Sequence, residues 1–181
     1  VRAGYSFQGW FTQPSGGTRV MVATEDNPNV NFNTTQSLYA QWKYEVTADM
    51  SGDIADGTIH WEINGDGLLK LTDNQTQLTY GGSTTPTEGG TVNTREATLP
   101  KWTSATDITT ALPWTATALK EKVTGFQINS GDSIYVGDGN SMVSMFDGFK
   151  NMETCDLTGL YTARGTSFAS FFNGCAAMER L

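Results

Sequence analysis

Ser141-Met142-Val143-Ser144-Met145-Phe146-Asp147-Gly148 is repeated almost position for position by Ser167-Phe168-Ala169-Ser170-Phe171-Phe172-Asn173-Gly174. From Ser141 to Ser167 the offset is 26 residues, and Met152-Glu153 returns at the same offset as Met178-Glu179. A fixed period of this size marks a stacked-repeat architecture of the solenoid type rather than an enzyme core. Within each copy, apolar residues fall at i, i+3, i+4 and i+7: Met142, Met145, Phe146 and Phe149, then Phe168, Phe171, Phe172 and Cys175. That spacing predicts one apolar helical stripe per copy. A short strand follows each stripe, through Met152, Cys155 and Leu157 and then Met178 and Leu181. A more degenerate strand stands upstream at Val123, Phe126 and Ile128. None of these units can bury its apolar face alone, so stacking is what lets them fold.

Upstream of the repeat, Ile59-His60-Trp61-Glu62-Ile63 alternates, with Ile59, Trp61 and Ile63 expected inward. Asn64-Gly65-Asp66-Gly67 then turns the chain into a returning strand carrying Leu69 and Leu71. Pro113-Trp114 opens a short helix running toward Lys122, since proline is tolerated in a first helical turn. Between them, Asp73 to Thr98 is a Thr- and Gly-rich stretch without periodicity, and the 73–112 region as a whole resists assignment. At the front of the chain, Tyr5 to Phe11 and Leu38 to Lys43 read as strands. A turn at Gln13-Pro14-Ser15-Gly16-Gly17, a second strand over Thr18–Thr24 and a loop at Asp26-Asn27-Pro28-Asn29 lie between them.

Two resemblances rest on these residues. Arg2-Ala3-Gly4-Tyr5-Ser6-Phe7-Gln8-Gly9-Trp10-Phe11-Thr12 and Leu38-Tyr39-Ala40-Gln41-Trp42 resemble the internalin-type B-repeat, also called the Listeria–Bacteroides repeat. That resemblance implies a small β-grasp-like module, here lacking the family's opening strand and helix. Met145-Phe146-Asp147-Gly148 through Asp156-Leu157, and Phe171-Phe172-Asn173-Gly174-Cys175, resemble BspA-like leucine-rich repeats of bacterial surface proteins. Phe149 stands where that family has Cys, and Met replaces its usual Leu. In that family a hairpin and a Pro-Trp helix precede the first repeat, which implies the same role for Trp61–Leu71 and Pro113-Trp114.

The expected fold class is α+β, mostly β. Residues 1–46 form a partial B-repeat of β-grasp type. Residues 47–122 form the hairpin cap with its Thr/Gly-rich insertion. Residues 123–181 form a short, truncated leucine-rich-repeat solenoid. Both ends look cut, which suggests part of a longer protein able to pair with itself through those ends.

Composition narrows the chemistry. The 181 residues carry a net charge of −8. Duplex nucleic acid, whose affinity depends on basic contacts to phosphate, is therefore an unsuitable partner. No run of about 18 apolar residues offers a membrane span. Two cysteines are too few for a disulfide scaffold. Cys155 and Cys175 read as small buried hydrophobes, and a bond between them stays open because the repeat can bring them into neighbouring turns of one core. No catalytic, cofactor or metal residue is expected. His60, the one histidine, sits on the polar face of a strand. The loops around Gly137-Asp138-Gly139-Asn140 and Ser130-Gly131-Asp132 lack the twelfth-position Glu of a calcium loop.

These readings point to a noncatalytic protein for adhesion or protein recognition, with an extracellular location at the bacterial cell surface implied by the resemblances. In leucine-rich repeats the residues between the apolar strand positions project from one surface. Here they are Gln127, Glu153, Thr154, Asp156, Glu179 and Arg180. The expected partner is a host or bacterial surface protein with a basic patch. A glycan is the alternative ligand, held by exposed aromatics such as Trp102, which has no periodic neighbours. A third reading is an accessory region of a larger secreted hydrolase.

Overall fold

The structure is a computed structural model that describes residues 2–20, 37–74, 79–80, 92–93 and 96–181. It is mostly β with few helices. The chain divides into two compact units, Val1–Glu45 and Val46–Leu181.

The first unit is a three-stranded antiparallel sheet of β1 (Tyr5–Phe11), β2 (Arg19–Val20) and β3 (Tyr39–Tyr44), in the order β2-β1-β3. Its register slips between Phe7 and Gly9. The bulge is possible because Gly9 takes φ of 123°, and a Cβ there would stand 2.7 Å from the Arg19 Nε. Its consequence is geometric. Phe7 and Trp10, three residues apart, come to the same side of the sheet, with ring centroids 5.8 Å apart. The rest of the expected Thr18–Thr24 strand and the Asp26–Asn29 loop lie outside the described residues.

The second unit opens with a 3-10 turn (Ala48–Met50) and an antiparallel meander, β4 (Ser51–Ile54), β5 (Ile59–Ile63) and β6 (Leu68–Asp73). Strict alternation on β5 buries Ile59, Trp61 and Ile63 and leaves His60 and Glu62 on the other face. The backbone of the next stretch pairs β7 (Thr79–Tyr80) with β8 (Val92–Asn93), and β9 (Thr98–Leu99) follows. A short helix α1 (Ile108–Ala111), a 3-10 turn (Pro113–Thr115) and α2 (Thr117–Lys120) bury Leu112, Trp114 and Leu119.

From here the chain runs in successive turns that pair in parallel. Strand β10 (Gly125–Ile128) pairs with β6 on one side and β12 (Thr154–Cys155) on the other, and Thr154 bridges to Arg180. A second parallel sheet holds β9, β11 (Ile134–Val136) and β13 (Leu160–Tyr161). The two 26-residue copies lie on each other in register. The N–H groups of Met142, Ser144, Phe146 and Gly148 donate to the carbonyls of Ser167, Ala169, Phe171 and Asn173, at 2.8, 3.0, 3.0 and 2.7 Å. Equivalent rings stack as well: Phe146 on Phe172 with planes 7° apart, and Tyr135 on Tyr161 with planes 18° apart.

The apolar stripe is real, but it is not helical. Met142, Met145, Phe146 and Phe149 are fully buried, yet the backbone carrying them is a series of turns. Ser144 and its counterpart Ser170 take φ of 59° and 55°, a left-handed conformation that a right-handed helix cannot contain. A helix would satisfy its own amides. These turns instead hand their amides to the next copy. In the second copy Phe171 is buried, Phe172 half-buried and Phe168 48% exposed, so the expected inward position of Phe168 is corrected.

Candidate surface for partner recognition

The outer face of the five-stranded sheet β12-β10-β6-β5-β4 gathers the polar strand positions. Alternation turns Phe126 and Cys155 into the core and leaves Gln127, Thr154 and Asp156 outward. A groove of about 390 Å³ runs over this face, lined by Leu68, Phe126, Gln127, Thr154, Cys155, Asp156, Arg180 and Leu181. Gly125 forms part of its geometry. A Cβ there would meet the Thr154 Oγ1 at 2.8 Å and the Leu68 Cδ1 at 3.3 Å, so those two side chains close over a position that has none.

The structure brings four of the sequence-predicted residues, Gln127, Thr154, Asp156 and Arg180, to one groove. Glu153 and Glu179 stand exposed one residue before Thr154 and Arg180. Asp156 is held below the usual carboxylate range because the Thr158 backbone N–H, and then its hydroxyl, bond the charged form. Trp102 does not belong to this surface. It is 1% exposed, its indole N–H donates to the Val143 carbonyl at 2.9 Å, and its backbone N–H donates to the Asn140 Oδ1. The ring is a core element, so the expectation of a surface aromatic at Trp102 is corrected. Absence of periodicity around it reflected a loop threaded into the core.

The same face carries side-chain pairs that sequence reasoning did not assign. His60 Nδ1 lies 2.7 Å from Asp53 Oδ1, and Asn74 donates to the same oxygen. Lys70 Nζ lies 2.8 Å from Glu62 Oε1. The signal for both pairs was the hairpin register, which sets Asp53 opposite His60 and Glu62 opposite Lys70. Across the sheet the register also aligns Ser51, Glu62, Lys70 and Gln127.

Both cysteine thiols are pushed above their ordinary range. Burial, and then the nearby Cys175, pushes the Cys155 thiol up to about 12. The Cys175 thiol is also raised by burial, and donates to the Phe146 carbonyl at 3.0 Å. Both are free. Among the described residues no group of three or more His, Cys, Asp or Glu is placed to hold a metal ion. No helix among them is long and apolar enough to cross a membrane.

The first unit has a different surface. Tyr5, Phe7, Trp10, Ala40 and Trp42 line an apolar hollow of about 420 Å³. In comparisons with known proteins, no family model, no curated protein and no solved structure matches this chain.

Proposed function

We propose that the second unit is a short leucine-rich-repeat solenoid behind a hairpin cap, that the first is a partial β-grasp-like B-repeat, and that the protein is a noncatalytic recognition module of an extracellular bacterial surface protein. The observation that carries this reading is the donation of four alternate amides of one 26-residue copy to the next copy. Stacking of that kind builds an extended strand face, and such faces serve recognition. The groove with Gln127, Thr154, Asp156 and Arg180 is where the partner docks. Asp156 and Arg180 line it, and the exposed Glu153 and Glu179 one residue before Thr154 and Arg180 tip the balance to acidic, which favours a host or bacterial surface protein with a basic patch.

The test is a kinetic one. On a surface of immobilised lysine-rich peptide, E153K/D156K should associate more slowly than wild type, with the difference shrinking as salt rises, while its thermal transition stays in place. Equal association by both proteins at low salt would remove the groove from the proposal.

One observation favours a second reading. The Gly9 bulge brings Phe7 and Trp10 to the face that also carries Trp42, with Phe7 46% and Trp10 39% exposed. Aromatic faces of this kind stack on sugar rings, so a glycan ligand belongs to this hollow rather than to Trp102. Retention on a glycan array that disappears in Trp10→Ala would support it, and a blank array would end it.

A further inference from the structure

The hairpin is not merely a cap. Resting on the reading of the strand face as a docking surface, we infer that the face begins on β4 and β5 and takes an extended cationic segment lying across the strands, anchored by basic groups near both ends of the sheet. Three features carry this.

The first is continuity. The outward positions Ser51, Glu62, Lys70 and Gln127 are aligned from β4 to β10, and the Asp156 N–H donates to the Phe126 carbonyl at 2.9 Å, which continues the row onto the segment of β12. The groove on the repeats and the polar face of the hairpin are thus one surface.

The second is the distribution of charge. In the middle Glu62 and Lys70 pair with each other. At the two ends the carboxylates have no cationic Lys or Arg partner among the described residues. Asp53, with its side chain 55% exposed, bonds only His60 and Asn74. Asp156 bonds Thr158 and shares its groove with Arg180, and Glu153 and Glu179 stand exposed one residue before Thr154 and Arg180. At the repeat end three carboxylates, Glu153, Asp156 and Glu179, outnumber the guanidinium of Arg180, at the other end stands Asp53, and the middle is internally compensated, which complements a ligand whose positive charges are separated.

The third is length. Four interstrand steps separate β4 from β12. At about 4.8 Å each they span roughly 19 Å. An extended peptide covers that distance in about six residues.

The experiment uses two fluorescein-labelled peptides of identical composition. One carries Lys-Arg pairs separated by about five Gly and Ser residues, and the other carries the same basic residues contiguously. Anisotropy at low ionic strength should show the spaced peptide binding the wild-type chain about tenfold more tightly, because its second contact is intramolecular. D53N should remove most of that advantage and leave the contiguous peptide within about twofold. S51K, on the same exposed edge but outside the Asp53–His60 pair, should do the same, and guards against a folding defect in D53N.

Equal binding of the two peptides by the wild-type chain overturns the inference. So does an undiminished advantage in both D53N and S51K while E153Q/D156N still weakens binding, and in that case the groove on the repeats stands alone. If none of the variants weakens either peptide, the docking groove on the repeats falls with it.

Discussion

Trp102 and Trp114 are both closed off from solvent, and their indole N–H groups meet opposite fates. Trp102 donates to the Val143 carbonyl, whereas the Trp114 Nε1 has no hydrogen-bond partner and its ring lies 5.7 Å from that of Trp61. Replacing each with Phe should separate the two. W102F leaves a carbonyl without its donor and should cost about 1–3 kcal/mol, while W114F deletes an unmet donor and should cost clearly less. Urea melts giving the reverse order would refute this assignment. Phe146 is the hub of the stacked copies, with four phenylalanine rings, Phe126, Phe149, Phe171 and Phe172, within 4.9 to 5.7 Å of its own. Phe146→Ala should therefore cost about 3–5 kcal/mol. Asp107 gives a pH signature. Its carboxylate accepts from the backbone N–H groups of Thr103 and Ser104 and from both hydroxyls, which holds its pKa at about 2. Because the folded value is depressed, its contribution to stability is fully present above the unfolded carboxylate range near ~4 and is lost as pH falls through about 2. A carboxyl carbon shift titrating at the ordinary Asp value would contradict the geometry. The role of Phe146 was legible in the repeat. That of Trp102 was not, because its partner Val143 stands far along the chain and no local pattern encodes such a pairing.

At the scale of elements, turn geometry and strand alternation were legible to different degrees. Alternation on β5 and β6 gave the correct inward set because each side-chain direction follows from the pleat alone. The stripes at 142–149 and 168–175 gave the right buried residues for the first copy and the wrong backbone for both. A spacing of three and four is met equally by a helix and by turns with a left-handed residue at Ser144 and Ser170. Serine carries no strong prior for that conformation, so only contact with the neighbouring copy decides it. Glycine at the hairpin end is more demanding. Gly67 takes φ of 84°, and a Cβ there would stand 2.5 Å from the Lys122 carbonyl oxygen and 2.8 Å from the Thr124 Oγ1. The Thr124 N–H donates to the Gly67 carbonyl, so this glycine joins the hairpin to the start of the first parallel strand. Gly67→Ala should therefore cost more than the ~1 kcal/mol of backbone conformation alone, since a carbonyl must also move. Hydrogen exchange should locate the damage in β6 and β10. A variant as stable as wild type would mean that the Lys122–Thr124 backbone yields freely.

At the scale of the whole molecule, the two units differ in what holds them. Every buried large apolar side chain among the described residues, from Met50 to Phe171, belongs to the second unit. In the first, Gly9 is the one described position that is fully buried, and Phe7, Trp10 and Tyr39 are among the exposed large hydrophobics. A unit of this size removes little apolar surface from water, and hydrophobic burial is the dominant favourable contribution to folding. Its aromatic sheet face is therefore not expected to sustain a transition as steep or as late as that of the second unit. The tryptophans divide usefully, with Trp10 and Trp42 in the first unit and Trp61, Trp102 and Trp114 in the second. Fluorescence of a W10F/W42F variant then reports the second unit alone, and its difference from wild type reports the first. In a urea titration the first-unit signal should change at lower denaturant and with a shallower slope, since the slope follows the surface exposed on unfolding. Binding of a ligand to the Phe7, Trp10 and Trp42 hollow should move that early transition upward and leave the later one in place, as linkage requires of a ligand that binds one folded unit. Coincident transitions in the wild-type chain, with one midpoint and one slope, would show instead that the two units share a single cooperative core.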